Sequence, residues 1–318
     1  MSLVLTLTPN PAIDISTSVE QVQPVRKLRC RPGSRDPGGG GLNVARVASR
    51  LGATAVAIYP AGGFTGQELA ELVRREAVES VVVPISGDTR EDFTVLSETD
   101  HEEYRFVLPG PRLKNAEWMA CLKALSAFER NPAFICASGS LPPGAPDDFY
   151  ARAAEIAEMR GAKFALDTSG PALEAALRER IHVIKPNLVE LAGLVGAELD
   201  DEPSRVAACR TLIAGGRLEM VALTLGADGA LLVTADAAWR ARPLAVPLVS
   251  SVGAGDSFLG AMVWALGEGL DPETAFRYGA AAGAAALLAH GTELSRAADV
   301  RRLLPEVVVE PIGGGASS

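Results

Sequence analysis

The residues best suited to chemistry in this sequence lie between Ser250 and Ala261, in the segment SSVGAGDSFLGA. Small residues at Gly253, Ala254 and Gly255 allow a backbone turn to approach a ligand closely. The apolar residues that follow recur at helical spacing, which predicts that a helix begins here with free N–H groups able to bind a phosphate. Asp256 would lie beside that phosphate. The alternative is an ordinary glycine-containing loop with an aspartate in the first helical turn, because short glycine motifs alone are weak evidence.

A second glycine-rich segment reads PGGGGLNVARVASRLG and carries four consecutive glycines from Gly38 to Gly41. A helix entered through glycines again offers free N–H groups. Asn43 falls in the first turn of this predicted helix, where its side chain can cap the backbone or bind a polyhydroxylated ligand. A flexible loop followed by an N-terminal cap remains the alternative.

Polar segments follow several predicted strands, and in open α/β sheets the ligand binds at this carboxyl edge. These segments are SGSLPPG after Cys136, DTSG at Asp167, KPNLVE at Lys185 and TLGADG at Thr224. Asn187 and Glu190 have the spacing of a helix cap and its reciprocal acid, or of groups that organise water around a nucleotide-bound Mg²⁺. Thr224, Gly226 and Gly229 fit a tight turn, or a backbone that lies against a triphosphate.

The elements that must position these groups alternate along the chain, which predicts a parallel sheet covered by helices on both faces. After an initial strand at 3–8, strands are predicted at 54–60, 79–85, 133–138, 162–167, 181–185, 219–225 and 229–234, and helices at 64–76, 115–130, 147–159 and 202–215. Further helices fill most of 254–304. We expect one large domain of residues 1–11, 36–87 and 109–318, and a small β-sheet lid of residues 12–35 and 88–108. The end of the chain, Gly315 to Ser318, is expected to be a disordered tail.

Composition excludes several classes of function. Hydrophobic residues make up 48% of the 318 residues and charged residues 22%, as in globular proteins. A formal net charge of −9 disfavours nucleic acid and acidic membranes as partners. An anionic substrate therefore needs a local cluster of cations, and Lys27, Arg29, Arg90 and Arg105 all lie in the two lid segments. Arginine suits bidentate contacts to phosphate, so these cations predict a substrate that already carries a phosphate.

Several common nucleotide-binding and catalytic motifs are missing from the sequence, which reduces the number of possible reactions. The sequence lacks GxxxxGK[ST], and Phe258 occupies the position where a dinucleotide fingerprint requires a third glycine. His101, His182 and His290 share no metal-ligand spacing, which disfavours a zinc site and a Ser-His-Asp mechanism. The four cysteines form no CxxC pair and are expected to be buried reduced thiols in a cytoplasmic protein. No segment resembles a signal peptide or a membrane span.

The sequence as a whole resembles the PfkB, or ribokinase-like, family of carbohydrate kinases. The segments GGGGLNVARVASRLG, KPNLVE and SVGAGDSFLGA carry the resemblance in that order, and it extends over residues 3 to about 305. The segments TLTPNPAID, KLRC, YRFVLPG and SGSLPPG are similar to those of the phosphosugar branch, most closely the ribokinase-type 6-phosphofructokinases. Fructose-1-phosphate and tagatose-6-phosphate kinases commonly have GGKG where this chain has GGGG.

The resemblance implies a doubly wound α/β domain, a β lid that often forms a dimer interface, and ATP and Mg²⁺. Asp256 would accept the proton of a sugar hydroxyl, while the N–H groups of Gly253, Ala254 and Gly255 stabilise charge on the transferring phosphoryl group. The phosphosugar residues would be Asp14, Lys27, Arg29, Gly39, Gly40, Asn43, Arg90, Arg105, Gly139 and Ser140. The nucleotide residues would be Lys185, Asn187, Thr224, Gly226 and Gly229, with Glu190 ordering hydrated Mg²⁺. A potassium site near Ser250, Val252 and Gly291 is implied too, although Ser250 and Ser251 replace the common Asp-Thr pair.

We therefore expect an ATP-dependent kinase of fructose 6-phosphate that forms fructose 1,6-bisphosphate and acts as a homodimer. The alternative within the family is a fructose-1-phosphate or tagatose-6-phosphate kinase. A dehydrogenase would need a dinucleotide fingerprint, and a nucleotide sensor would have no need of Asp256. Because the positive end of a helix favours an ionised carboxyl, Asp256 is expected to be a weak base.

Overall fold

The computed structural model describes residues 2–289 and 291–313, and its strands form a large and a small β-sheet. In chain order the strands are β1 (Leu3–Leu7), β2 (Ala12–Val19), β3 (Ser34–Gly38), β4 (Thr54–Ala61), β5 (Glu79–Pro84), β6 (Arg90–Ser97), β7 (Glu103–Phe106), β8 (Phe134–Ser138), β9 (Lys163–Asp167), β10 (Ile181–Ile184), β11 (Leu218–Thr224), β12 (Ala230–Thr234), β13 (Ala238–Ala241) and β14 (Val309–Pro311). The large sheet has the order β14-β13-β12-β11-β10-β9-β8-β1-β4-β5. Its strands from β11 to β5 are parallel, whereas β12, β13 and β14 add an antiparallel edge.

Helices cover both faces of the large sheet because its strands are apolar on both sides. The helices are α1 (Gly40–Leu51), α2 (Gly63–Arg75), α3 (Asn115–Ser126), α4 (Phe149–Met159), α5 (Pro171–Ala176), α6 (Leu188–Val195), α7 (Glu202–Ala214), α8 (Ala254–Gly267), α9 (Pro272–Ala286) and α10 (Ala297–Leu303). In β1, Leu5 and Leu7 join the core under α3, α4 and α7, while Val4 joins the core under α1, α8 and α9. Alternate residues of one strand thus face opposite layers, as the strand period requires.

The small sheet joins the two segments that were predicted to form an appendage. Its order is β3-β2-β6-β7, with β2 and β6 parallel and the other two pairs antiparallel. The register places Asp14 of β2 between Asp36 of β3 and Asp92 of β6, so three carboxylates form one cross-strand row. The α/β architecture with a separate small sheet is confirmed, and the exact domain boundaries stay a prediction.

Most predicted elements differ from the structure only at their ends. The largest such difference is in the helix predicted over 115–130, because α3 ends at Ser126, short of Pro132. For α6 only the start was indicated, by the cap spacing of Asn187 and Glu190. Three short elements were not predicted: α5, β13 and β14. Each spans six residues or fewer, too few for a clear periodic pattern.

The expectation that all cysteines are buried is wrong for one of them. Cys121, Cys136 and Cys209 are buried free thiols, whereas Cys30 is exposed, because it lies in the polar loop between β2 and β3. The predictions for His290 and for Gly315 to Ser318 fall outside the described residues. In the described part of the chain, no helix is both long enough and apolar enough to span a bilayer.

Candidate active site

The segment around Asp256 forms the start of α8, as its sequence predicts. Gly253 is the N-cap and adopts a left-handed conformation, with a φ of 75°. A Cβ atom at this position would lie 2.3 Å from Leu294 Cδ2, so glycine is required both by the conformation and by the packing. The first-turn N–H groups have no partner in a preceding turn. Among them, the N–H of Ala254 donates a long, 3.4 Å bond to the Ser251 carbonyl, so it is partly used within the loop.

Asp256 is held by the first turn of α1. The Asn43 amide nitrogen donates a hydrogen bond to Asp256 Oδ2 at 2.9 Å. Gly40, also in this turn, leaves the space that the carboxylate occupies, since a Cβ atom there would lie 3.2 Å from Asp256 Oδ1 and 2.0 Å from Ser138 Oγ. The two glycine-rich segments, more than two hundred residues apart, therefore meet at one carboxylate.

The expectation that Asp256 is a weak base is wrong. Desolvation, and after it the charge of the nearby Asp167 carboxylate, raises the pKa of Asp256 from 3.8 to about 6, against smaller opposing effects of Asn43 and Lys185. Loss of water around the carboxyl therefore outweighs the helix dipole and the amide donor. At neutral pH Asp256 remains mostly ionised, yet it is a much better proton acceptor than an exposed aspartate.

Asp167 and Lys185 form an ion pair at the ends of the adjacent strands β9 and β10. Lys185 Nζ lies 3.2 Å from Asp167 Oδ2, and only 7% of the lysine side chain is exposed. Although burial alone would lower the pKa of Lys185, the charges of Asp167 and Asp256 raise it, so the ammonium stays charged. Gly255 leaves room for the lysine ammonium, because a Cβ atom at this position would lie 3.2 Å from Lys185 Nζ. The segment DTSG is predicted as a strand end, but no role is predicted for Asp167; the signal that could have revealed one is a carboxylate on the last residue of a buried strand.

A cavity of about 260 Å³ lies in front of these groups. Its lining consists of small and acidic residues: Gly40, Ser138, Gly139, Ser140, Asp167, Thr168, Ser169, Glu190 and Asp256. Gly139 has a φ of 116°, and its carbonyl accepts hydrogen bonds from the Tyr150 and Thr168 hydroxyls. Hydroxyls, backbone groups and carboxylates in one cavity suit a ligand rich in hydroxyl groups.

The predicted nucleotide residues lie in neighbouring loops at the same sheet edge. Asn187 and Glu190 form a reciprocal cap on α6, with both hydrogen bonds at 2.8 Å. Asn187 also makes an isolated parallel bridge with Thr224, which ends β11. The turn that follows is closed by a 2.8 Å bond from Leu225 N–H to the Gly229 carbonyl, and Gly226 and Gly229 have φ values of 59° and 88°. Asn187 and Glu190 therefore cap α6, and the binding of a nucleotide by these loops stays a prediction.

Asp14 lies in the small sheet, facing the chain that leads into α1. A Cβ atom on Gly38 would lie 2.3 Å from Asp14 Cγ, so the carboxyl packs directly against that glycine. The next glycine, Gly39, has a φ of 108°, which turns the chain into α1. Burial, and after it the charge of Asp92, raises the pKa of Asp14 from 3.8 to about 7, against the cations Arg105, Arg46 and Arg90.

The four predicted phosphate-binding cations differ in how free they are. Arg90 is already bound: its guanidinium lies 3.0 Å from an Asp92 oxygen and donates to the carbonyls of Leu108 and Asn10 at 2.9 and 3.1 Å. Its buried Nε has no acceptor within the described chain. In contrast, the side chains of Arg105, Lys27 and Arg29 are exposed and make no hydrogen bond or ion pair to any described residue. Arg105 is near enough to Asp14 and Asp256 to lower the pKa of both carboxyls.

The loop predicted to hold a monovalent cation contacts the small sheet. The Ser250 hydroxyl donates to a Glu103 carboxylate oxygen of β7 at 3.1 Å and accepts from the Val252 N–H at 3.2 Å. The neighbouring Val249 N–H bonds to the Leu287 carbonyl at the end of α9, in the stretch that leads to Gly291. The structure therefore places the chain before Ser250 beside the end of α9, and the cation site stays a prediction.

The chain matches a family of known proteins and is similar to curated relatives. The model of the pfkB family carbohydrate kinases matches residues 7–298. The ATP-dependent 6-phosphofructokinase isozyme 2 of Mycobacterium tuberculosis (strain H37Rv) is 44% identical over 308 residues, covering 97% of this chain and 90% of the relative. The 1-phosphofructokinase of Bacillus subtilis is 32% identical over 307 residues, covering 96% and 99%.

Solved structures of relatives have the same fold. Phosphofructokinase-2 from Escherichia coli in complex with fructose-6-phosphate superposes with a TM-score of 0.90 at 37% identity, covering 96% of this chain and 99% of the other. The same enzyme in complex with potassium gives a TM-score of 0.91 at 38% identity, with the same coverage. Arabidopsis thaliana ribokinase is 19% identical with a TM-score of 0.73, covering 96% and 99%, and shares the fold.

Proposed function

This chain belongs to the pfkB family of carbohydrate kinases, and on that premise we propose that it transfers a phosphoryl group from ATP to the 1-hydroxyl of fructose 6-phosphate. The product is fructose 1,6-bisphosphate. The observation that carries this proposal is the Asp256 carboxylate, which lines a polar cavity, is held by Asn43 and has a pKa raised to about 6. A group of that basicity is ionised at neutral pH and can still accept a proton in the transition state.

In this proposal the sugar lies between the small sheet and the first turns of α1 and α8. The 1-hydroxyl transfers its proton to an Asp256 oxygen while its oxygen forms a bond to the γ-phosphorus, and the bond from that phosphorus to the β,γ-bridging oxygen breaks to release ADP. The N–H groups at Gly253, Ala254 and Gly255 would stabilise the charge on the transferring group. Asp14, Gly39, Gly40, Asn43, Gly139 and Ser140 would bind the sugar.

The proposed phosphate site is at the small sheet. Arg105 has a free guanidinium, Arg90 has a buried Nε without an acceptor among the described residues, and Lys27 and Arg29 lie on the nearby loop between β2 and β3. Binding the 6-phosphate here would orient the opposite end of the sugar toward Asp256. Binding energy far from the reacting centre then contributes to orientation at that centre.

The proposed nucleotide residues are Lys185, Asn187, Thr224, Gly226 and Gly229. The carboxylates of Asp167 and Glu190 line the cavity and could supply oxygen ligands, which fits the preference of Mg²⁺ for carboxylates and water. Bound Mg²⁺ would neutralise charge on the ATP phosphates. A K⁺ ion near Ser250, Val252 and Gly291 also belongs to the proposal, supported by the potassium complex of the E. coli relative and by the oxygen atoms of Ser250 and Glu103. We further propose a cytoplasmic location, where ATP is available and free thiols persist.

ADP formation by the purified protein with a panel of sugars tests this function. Fructose 6-phosphate should give the highest kcat/KM, above fructose 1-phosphate, tagatose 6-phosphate, fructose and ribose. Preference for fructose 1-phosphate or tagatose 6-phosphate would assign the protein to the alternative branch. Efficient turnover of unphosphorylated fructose or ribose would contradict the phosphosugar assignment altogether.

A further inference from the structure

Arg46 is a buried cation in the middle of α1, with only 1% of its side chain exposed. Burial of a guanidinium is costly unless it is paired and hydrogen-bonded. Its Nη2 lies 2.8 Å from Glu76 Oε1, and its Nη1 donates to the carbonyls of Pro37 and Thr292 at 3.0 and 3.3 Å. Arg46 therefore joins α1 to the end of α2, to β3 of the small sheet and to the chain after α9.

One further bond of Arg46 leads to the proposed catalytic base. Nη1 donates to Asn43 Oδ1 at 3.3 Å, and Asn43 Nδ2 donates to Asp256 Oδ2 at 2.9 Å. A carboxamide has an acceptor at one end and a donor at the other. Because Arg46 occupies the acceptor end, the donor end must face Asp256. If the amide were reversed, its oxygen would face the carboxylate and repel it.

We propose that Arg46 is a positioning residue for the phosphoryl transfer: it orients the Asn43 amide so that its NH₂ group holds the Asp256 carboxylate ionised and directed into the cavity. This inference rests on the proposed function for its effect on turnover. It concerns a residue that touches neither sugar nor nucleotide. The hydrogen bond from Asn43 favours the ionised carboxyl of Asp256, whose pKa desolvation and Asp167 raise, so losing that orientation should raise the pKa further.

Arg50 provides a matched control within the same helix. It lies one turn after Arg46 and also binds Glu76, with Nη2 at 2.8 Å from Oε2. Its Nη1 donates to the carbonyls of Glu293 and Ser295 at 2.7 and 3.2 Å, so it also fastens the chain after α9. It makes no hydrogen bond to Asn43. A purely structural role for these arginines predicts similar effects of Arg46→Met and Arg50→Met.

The experiment measures kcat against pH for wild type, Arg46→Met and Arg50→Met with fructose 6-phosphate and ATP. In Arg46→Met the acidic limb of the profile should move up by about 0.5 to 1 pH unit, the size expected for one hydrogen bond to a carboxylate. At pH 6 its kcat should then fall several-fold more than at pH 8. Arg50→Met should lose thermal stability without moving the limb. An equal shift in both variants, or no shift in Arg46→Met, overturns the proposal.

A second readout does not depend on turnover. The ¹³C resonance of the Asp256 carboxyl, identified by its loss in Asp256→Asn, reports its titration in the substrate-free protein. Its midpoint should rise in Arg46→Met, and this rise should disappear when Asn43 is also changed to Ala, since the effect passes through Asn43. A rise that persists without Asn43, or no rise, contradicts the proposal. If the wild type does not phosphorylate fructose 6-phosphate, the proposed function fails while this titration still decides the role of Arg46.

Arg46→Lys covers the case in which Arg46→Met does not fold. A single ammonium can pair with Glu76 but cannot place a second nitrogen at Asn43, because lysine lacks the fork of the guanidinium. The titration midpoint of Asp256 should therefore rise in Arg46→Lys too. An unchanged midpoint in this folded variant counts against the orientation of Asn43 by Arg46.

Discussion

Opposing influences meet at the Asp256 carboxyl, and their balance determines how it can react. The start of α8 and the Asn43 amide favour the ionised form, whereas desolvation and Asp167 favour the protonated form and prevail, placing the pKa at about 6. Such a group combines ionisation at neutral pH with useful basicity. The cavity proposed to bind the substrate thus also raises the basicity of the proposed base.

Replacing Asp256 by Asn should lower kcat by about 10² to 10⁴, the usual range for loss of a general base. The affinities for ATP and fructose 6-phosphate should change little, since asparagine has nearly the same shape. Wild-type kcat should fall as the pH drops below about 6, because the carboxyl is then protonated, and the variant should lack this acidic limb. Steady-state kinetics over pH 5 to 8 checks both effects. A variant with near-normal turnover would falsify the assignment of Asp256 as the base.

Arg105 and Arg90 should respond differently to truncation, because only one of them supports the fold. In Arg105→Ala the KM for fructose 6-phosphate should rise about tenfold or more, as expected for loss of one charge-assisted contact, with little change in the KM for ATP. Arg90→Ala should also raise the KM for the sugar but should lower the melting temperature as well, since it leaves Asp92 without its cation.

Kinetics and thermal melts of both variants check this, with the exposed Arg301 changed to Ala as a control for lost surface charge. Unchanged sugar KM values in both variants would show that the phosphate binds elsewhere.

At the scale of the elements, the row Asp36, Asp14, Asp92 across β3, β2 and β6 places like charges opposite one another, which destabilises a sheet. The effect shows in Asp14, whose pKa is raised from 3.8 to about 7, chiefly by burial and then by Asp92. The folded state therefore binds a proton that the unfolded state has lost between about pH 4 and 7, so stability falls as the pH rises through that window. The row of carboxylates thus lowers the stability of the fold at neutral pH. A role of Asp14 in ligand binding would explain why the sheet carries it.

Asp14→Asn should therefore raise the melting temperature at pH 8 by about 2–4 °C and change it little near pH 3, below the ordinary pKa of 3.8, where the wild-type carboxyl is mostly protonated in both states. Activity should fall in the same variant because Asp14 is proposed to bind the sugar. Thermal unfolding at the two pH values is the measurement, and Asp236→Asn, in the exposed turn between β12 and β13, is the control. A lower melting temperature at pH 8 would show that the charged form of Asp14 stabilises the sheet.

Sequence patterns predicted elements wherever the hydrophobic period was long or a strand was apolar on both faces, as in β1, α1 and α8. They failed for α5, β13 and β14, which are too short to show a period and whose pairing depends on distant strands. The pKa of Asp256 could not be predicted because desolvation depends on how α1, β9 and α8 pack together. For the same reason Asp167 and Arg46 passed unnoticed: their partners, Lys185 and Glu76, are distant in sequence and meet only in the folded chain.

At the scale of the whole molecule, the small sheet cannot bury a core by itself, and among the described strands β3 and β7 form its open edges. The chain at the β7 edge is apolar and exposed at Phe106, Val107 and Leu108, by 53%, 61% and 44%. We propose that two copies associate through this sheet into a homodimer. Such an interface would also exclude water from the sugar side of the site.

Changing Phe106 to Asp should place a charge in this interface and shift the protein toward monomers. Light scattering at micromolar concentration should give twice the chain mass of 33.1 kDa for the wild type and a value near the chain mass for the variant. Phe64→Asp is the matched control, because Phe64 is 88% exposed at the start of α2, outside the small sheet, and should leave the dimer intact. If the interface completes the sugar site, Phe106→Asp should also raise the KM for fructose 6-phosphate more than that for ATP. A wild type that is monomeric and fully active at that concentration, or a dimer equally stable in both variants, would contradict association through the small sheet.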